Sequence, residues 1–161
     1  MKYNRHLILI FVVSIFVCGT LRSQTDNLFM AQQLTQAAKF DSALIFVDLA
    51  STHAETSKDL FTWYLRGFIL KELYKSKENN DPNSKLREES FKSCIKSLEM
   101  DNGSEIRPKT IQTIKYLASR YKNDAASALN NGHDYETGIA NYEMYKKAYL
   151  YVDPAMNFDR Q

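Results

Sequence analysis

Few side chains in this sequence of 161 residues could do chemistry, and none of them has the neighbours that chemistry requires. After residue 24 the histidines are His53 and His133. Metal ligands on one helix are three or four positions apart. His53 has Glu55 two positions on, and His133 is followed by Asp134 and Glu136 at a turn. Both histidines are therefore interpreted as solvated or cap-adjacent side chains, and no metal or cofactor is expected.

Cys94 is the one cysteine after residue 24, since Cys18 lies in the amino-terminal segment. A single thiol cannot close a disulfide within the chain, so the fold must be held together by packing. The thiol could be reactive or could bridge two molecules; alternatively it is a small buried side chain on a helix. The second interpretation is favoured, because no histidine or acid stands at helical spacing from Cys94.

The remaining polar clusters are better explained by turns and solvated helix faces than by catalysis. Glu88 and Glu89 stand on a predicted helix that needs a polar face. Residues 79–81 (Asn-Asn-Asp) lack the alternating acidic ligands of a calcium loop. Residues 102–104 (Asn-Gly-Ser) fit a glycosylation sequon but are also typical of a helix terminator. Because the sequence has no phosphate loop, nucleophile elbow or zinc spacing either, no enzymatic activity is expected.

The elements that would position these residues are predicted to be helices, because apolar residues recur at intervals of three and four. Asp41 is a candidate cap for the second helix. Thr56 with Asp59 resembles a capping box for a third helix that runs from Lys58 to about Lys77.

The second half of the chain continues the same pattern. After a polar loop over residues 77–84, a fourth helix ends at Asp101. Pro108 suits the first turn of a fifth helix that runs to about Asn130. A sixth spans residues 135–152, so six helices without strands are expected, and the predicted fold class is all-α.

The first 24 residues have the features of a secretory signal peptide. A short basic start, residues 1–6, precedes an uncharged apolar run from Leu7 to Cys18. This run is shorter than the about 20 residues that span a bilayer. Cleavage is expected between residues 20 and 25; an uncleaved anchor or lipidation of Cys18 is the alternative by which the chain would contact a membrane. The predicted location is the periplasm or the cell envelope.

The distribution of charge argues against a nucleic-acid partner. The formal net charge of +2 includes Lys2, Arg5 and Arg22, which leaves 18 basic and 19 acidic residues after residue 24. A nucleic-acid binder needs a basic surface to neutralise phosphates. The chain is 44% apolar, which is enough for a core, and its length predicts one domain.

The six predicted helices form three antiparallel pairs with small residues where two helices would cross closely. The second pair contains Trp63-x-x-x-Gly67 and the phrase Ser97-Leu-Glu-Met-Asp101. This pattern resembles the tetratricopeptide repeat family, as found in exported bacterial proteins, with about three repeats. The other matching positions are Ala31, Leu34, Phe40, Ala43, Val47 and Ala50 in the first pair, Leu70, Ser90 and Cys94 in the second, and Ala126, Leu129, Tyr135, Gly138, Tyr142 and Tyr145 in the third.

The resemblance implies boundaries for the whole chain. Residues 1–24 are the expected signal peptide, residues 25–154 the repeat domain, and residues 155–161 a tail. Within the repeat domain the pairs are expected at about 25–53, 58–101 and 105–152.

The resemblance also implies a right-handed superhelix whose concave groove is lined by the first helix of each pair and binds a peptide or a partner helix. The implied function is an exported interaction scaffold or adaptor of the cell envelope; the alternative is a helical-repeat binding protein for a small ligand. Aromatic anchors among amide side chains suit peptide recognition, although the aromatic residues could instead pack against a neighbouring repeat. The residues that this register assigns to the groove are Leu28, Gln32, Thr35, Gln36, Phe61, Tyr64, Phe68, Lys71, Arg120, Asn123, Ser127 and Asn130.

The last predicted helix pair is not followed by a helix that could cover its outer face. A repeat array normally finishes with a helix whose outer face is polar. Only seven residues follow Pro154, too few to cover the last pair. We therefore expect the chain either to be part of a longer array or to cover this end by forming a homo-oligomer.

Overall fold

The computed structural model describes residues 26–158, and every regular element within that range is a helix. The described part of helix α1 is 26–36. A 3₁₀ turn, Thr56–Lys58, precedes α3, and a π-helical segment, Ala128–Gly132, follows α5. The all-α prediction is confirmed, while the predicted signal peptide, 1–24, lies outside the described residues. The later helices are α2 (Phe40–Thr52), α3 (Leu60–Lys77), α4 (Lys85–Glu99), α5 (Arg107–Ser127) and α6 (Tyr135–Val152).

Two of the predicted helix starts are wrong. Asp59, rather than Thr56, caps α3, and its carboxylate accepts a hydrogen bond from the Phe61 N–H at 2.9 Å. The Thr56 hydroxyl donates instead to the Ala50 carbonyl and so fastens the turn to the end of α2. Asp41 lies in the first turn of α2, where a negative charge favours the helix dipole, but it makes no capping bond.

The other helix ends follow local signals. Pro108 stands in the first turn of α5, as predicted, and α6 has its predicted bounds. The Ser84 hydroxyl caps α4 by accepting from the Arg87 N–H at 3.2 Å. Asp134 caps α6, and hydrogen bonds from the side chain and backbone of Thr137 lower the pKa of the Asp134 carboxyl.

Helices that follow one another in the chain pack together, and α3 also contacts α5. One cluster of buried residues joins the first three helices through Ala31, Val47 and Leu65. A second cluster joins α3 to α6 through residues such as Tyr74 and Ile114. Leu86 of α4 packs against both clusters, so the two are continuous through this side chain. Among the helices of residues 26–158, none is both long and apolar enough to cross a membrane.

The predicted small residues at the helix crossings are buried in all three pairs, at Ala31, Ala43, Gly67 and Gly138. The closest approach is at Gly67, where an added Cβ would lie 2.6 Å from the Cys94 Sγ. Small side chains at these positions therefore set the distance between neighbouring helices.

Three of the positions that the predicted register assigns to the third pair, Ala126, Tyr135 and Tyr142, are exposed. Ala126 is exposed, and its neighbour Ala125 is buried, because the buried face of α5 continues from Leu117 through Tyr121 to Ala125 at helical spacing. Tyr135 is also exposed, so it does not fill the crossing between α5 and α6.

The first residues of the tail, 155–158, contact the surface of α6. The ring of Phe158 packs edge-on against Tyr145 and Tyr149, with centroid distances of 5.7 and 6.2 Å. Residues 155–158 therefore fold back onto α6 and cover part of its surface.

Arg87 is a buried cation at the junction of the last three helices, and it is only 4% exposed. Its guanidinium forms an ion pair with Asp124 of α5 and donates to the side chain of Asn141 of α6. It also donates to the Pro82 carbonyl and lies 4.0 Å from the ring centroid of Tyr121. These partners satisfy the charge inside the protein, as a buried ion requires.

Candidate binding surface

The sequence-predicted residues of α3 form a continuous row of aromatic rings. Phe61, Tyr64 and Phe68 lie on one helix face, because their spacing of three and four residues matches the helical repeat. The ring centroids are 6.0 Å apart for the first two and 6.2 Å apart for the last two. Each ring is only partly buried. We call this row the α3 aromatic strip.

The strip is supported from one side by α2. The ring of Phe40, at the start of α2, contacts Phe68 edge-on with a centroid distance of 6.4 Å. The rings therefore pack on neighbours and remain partly exposed. Burial raises the pKa of the Tyr64 hydroxyl, and the nearby Cys94 adds to the rise, so the phenol stays neutral and can both donate and accept a hydrogen bond.

A lysine closes the strip and connects it to α5. The Nζ of Lys71 lies 4.3 Å from the ring centroid of Phe68 and 5.8 Å from that of Tyr116. Lys71 also forms an ion pair with Glu72. Tyr116 was not among the predicted site residues, although it stands one helical turn before Arg120 on the same face of α5.

Beyond Lys71 the surface becomes polar. The Tyr116 hydroxyl donates to the Asn80 side-chain oxygen, and the Tyr74 hydroxyl donates to the Asn80 carbonyl at 3.2 Å. Burial raises the pKa of Tyr74, against the opposing effects of Arg87 and Arg120. Among the described residues, the Nε of Arg120 is buried without a hydrogen-bond partner. A buried donor without a partner is costly, and the Arg120 side chain also hydrogen-bonds to Tyr74.

The remaining predicted residues are spread more widely. On α1, Leu28 packs against the first core cluster and the Thr35 hydroxyl bonds to the Ala31 carbonyl at 2.7 Å. Gln32 is half-buried and Gln36 is exposed.

On the second half of α5 the predicted residues are mostly exposed. Asn123, Ser127 and Asn130 are exposed. Ser127 borders an open cavity of about 400 Å³ that is also lined by Thr137 of α6. The structure therefore groups the α3 residues with Tyr116 and Arg120, and it turns Ser127 towards α6.

The two histidines of the described chain lie at helix ends, and its cysteine lies in the core. His53 ends α2 and His133 ends the π-helical segment with φ of 50°. Cys94 is fully buried, and burial raises the pKa of its thiol to about 12. The part of the chain that the structure describes contains no group of three or more metal-binding side chains.

Comparison of this chain with protein families, with curated proteins and with solved structures finds no match. What the surface does is therefore inferred from its own chemistry.

Proposed function

We propose that the protein is an exported interaction scaffold of the cell envelope, in which three helical hairpins form a right-handed superhelix of the tetratricopeptide type. The groove between α1, α3 and α5 would bind a peptide or a partner helix. In support, α3 contacts α5 directly although α4 lies between them in the chain. Ala31 of α1 likewise shares a core cluster with Leu65 and Ile69 of α3. Contacts between alternate helices are expected where hairpins stack.

The observation that carries the proposal is the α3 aromatic strip with its polar end. Partly buried rings supply contact area at a small cost in side-chain entropy, which is why they are frequent anchors of interfaces. At one end of the strip lie two cationic side chains, Lys71, which is paired with Glu72, and Arg120. The suitable ligand is an extended peptide or helix with apolar side chains for the rings and a carbonyl or carboxylate oxygen for Arg120. Rings and donors suit binding better than catalysis, so we propose no enzymatic step.

Selection of peptides from a displayed random library on the full chain would test this proposal. The dissociation constant of a selected peptide is expected to rise at least about tenfold in Tyr64→Ala and in Phe68→Ala, which is the loss of one anchor. Tyr142→Ala, a matched removal of an exposed ring on α6, is the control and should bind as the wild type does. Circular dichroism would verify that each variant is folded. Peptides that bind Tyr64→Ala and the wild type equally would reject the groove.

The export part of the proposal rests on residues 1–24 and needs its own test. Fractionation of the native host followed by amino-terminal sequencing is expected to find the protein in the envelope or periplasm, beginning between residues 20 and 25. An intact amino terminus in the cytoplasmic fraction would contradict export.

A small-ligand carrier is the second candidate, and an open hollow between α5 and α6 favours it. The hollow, of about 650 Å³, is lined by Lys115, Lys122, Tyr145 and Tyr149 together with Asp153. Two ammonium groups beside two rings suit a flat anionic molecule. Screening of such compounds by thermal unfolding would favour this candidate if one of them raises Tm in the wild type but not in Lys122→Ala. No rise with any compound, combined with peptide binding at the α3 aromatic strip, would favour the scaffold.

A further inference from the structure

The outward face of α6 carries a row of four side chains, three of them exposed and one half-buried. Ile139, Glu143, Lys146 and Leu150 are separated by four, three and four positions, opposite the buried side of the helix. Ile139 is 60% exposed and Leu150 is 44% exposed. Intervals of four and three are typical of a helix that packs lengthwise against another helix. We call this row the α6 seam.

The α6 seam is complementary to a second copy of itself that runs in the opposite direction. Its midpoint falls between Met144 and Tyr145, with an apolar residue at each end and an acid and a base between them. If two copies of α6 pack antiparallel about that midpoint, Ile139 meets Leu150 of the second copy. Glu143 then meets Lys146 of the second copy, so every charge faces its opposite. A parallel arrangement in register would place each charge against its like, which is unfavourable.

The tail, residues 155–158, borders a hollow at the Leu150 end of the seam. This hollow is open to solvent, has a volume of about 680 Å³ and lies between residues 155–158 and α6. The contacts of Phe158 with Tyr145 and Tyr149 hold the tail in this position. In the antiparallel arrangement, Ile139 of the second copy lies at the level of this hollow and can fill it.

We propose that the protein forms a homodimer through its α6 seam, with two-fold symmetry and antiparallel α6 helices. An interface of this kind uses the same patch on both subunits, and a self-complementary seam meets that requirement. Within one chain, Glu143 and Lys146 already form an ion pair at 2.6 Å. In the dimer two such pairs come together around the symmetry axis. The inference does not depend on the proposed groove, because none of the groove residues belongs to the seam.

The dimer is expected to be weak, because one helix from each subunit covers less area than a stable complex uses. Interfaces below about 1,200 Å² belong to transient complexes, so a Kd on the order of 10 µM is expected. Sedimentation velocity of the full chain over a concentration series would measure this constant. A monomer at all concentrations up to about 500 µM would overturn the proposal.

Two matched isoleucines test the location of the interface. Ile139→Asp places a charge in the seam and should raise the Kd of the dimer at least about tenfold. Ile45→Asp makes the same change on the outer face of α2, where Ile45 is 63% exposed, and should leave the Kd unchanged. Weakening by both variants would indicate a head-to-tail contact between α6 and α2 and would overturn the two-fold arrangement.

Charge exchange tests the antiparallel register. Glu143→Lys and Lys146→Glu should each raise the Kd at least about tenfold, because like charges then meet at the symmetry axis. The double exchange restores opposite charges in every pair and should return the Kd to within about threefold of the wild type. Circular dichroism would confirm that α6 remains helical in each variant. Failure of the double exchange to restore the dimer would overturn the register.

Discussion

The second and third helix pairs place a glycine at the same kind of crossing, but the two glycines are constrained differently. A Cβ at Gly67 would meet the Cys94 Sγ at 2.6 Å and also the Ser90 carbonyl at 3.1 Å and the Cys94 backbone nitrogen at 3.2 Å. The three atoms nearest to a Cβ at Gly138 would all be side-chain atoms of Leu129, the nearest at 2.6 Å. Backbone cannot move without shifting a helix, whereas a side chain can change rotamer. The α3/α4 pair is therefore rigid at its crossing, and the α5/α6 pair is adjustable.

Polar contacts reinforce this difference. In the α3/α4 pair the Ser90 hydroxyl donates to the Gly67 carbonyl at 2.7 Å, and the Ser97 hydroxyl donates to the Leu60 carbonyl at 2.9 Å. The first of these bonds is buried and the second partly buried, and together they fix the two helices relative to each other. On the outer side of the α5/α6 pair, Ile139 and Leu150 remain exposed. The α3/α4 crossing, next to the α3 aromatic strip, is therefore rigid. The exposed apolar residues lie on α6, where a second copy would bind.

The largest effect is expected where the two pairs are joined. Arg87→Met leaves the Asp124 carboxylate largely buried without its partner, so the free energy of unfolding should fall by about 3 kcal/mol or more. Urea unfolding would measure the loss, and Asp124→Asn in the same chain should recover part of it. Arg66→Met is the matched control, since Asp48 and Glu89 remain partly exposed, and its cost should be about 1 kcal/mol. Equal losses in the two variants would contradict a buried ionic junction.

The next largest effect should come from Gly67→Ala. The new methyl group displaces Cys94 and presses on the α4 backbone, so we expect a loss of about 2 kcal/mol despite the better helix propensity of alanine. Adding Cys94→Ala should recover only part of this loss, because the two backbone contacts remain.

Labelling of Cys94 gives an independent measure of the same crossing. Burial raises the pKa of this thiol to about 12, so little thiolate is present at neutral pH and alkylation of the native protein should be slow. Gly67→Ala should accelerate labelling by opening the crossing. Full recovery of stability in the double variant, together with unchanged labelling of Cys94 in the Gly67→Ala single variant, would show that α3 and α4 are not held by their backbones.

A smaller effect is expected at Ser97, at the other end of the rigid crossing. Ser97→Ala removes the partly buried bond to the Leu60 carbonyl and should cost about 1 kcal/mol in urea unfolding. Ser119→Ala, on the exposed side of α5, is the control and should change stability by less than about 0.5 kcal/mol.

The smallest effect is expected at the adjustable crossing. In Gly138→Ala the Leu129 side chain can turn away, and alanine gains up to about 1 kcal/mol in a helix, so stability should remain within about 1 kcal/mol of the wild type. A loss as large as that of Gly67→Ala would remove the distinction between the two pairs.

Local signals in the sequence were sufficient for the helices and for the small residues between them. Pro108 and the bounds of α6 follow from residues within one turn, and the burial of Ala31, Ala43 and Gly67 follows from their spacing. The start of α3 was misplaced because Thr56 and Asp59 are both acceptable caps, and only the three-dimensional contact of the Thr56 hydroxyl with α2 separates them.

Features that depend on distant residues could not be predicted in the same way. Arg87 next to Glu88 has the sequence pattern of a solvated face, and its burial depends on Asp124, 37 positions later. Tyr116 joins the candidate surface only because α5 lies beside α3 and brings its ring to Lys71. The contact of Phe158 with Tyr145 likewise depends on a chain reversal after α6.

Hydroxyl-radical footprinting of the full chain, with and without a selected peptide, tests the binding surface most directly. Bound peptide should reduce oxidation of Tyr64, Phe68 and Tyr116 together, while oxidation of Tyr135 on α6 stays unchanged. Protection confined to α6, with the α3 aromatic strip as reactive as in the free protein, would contradict the proposed groove.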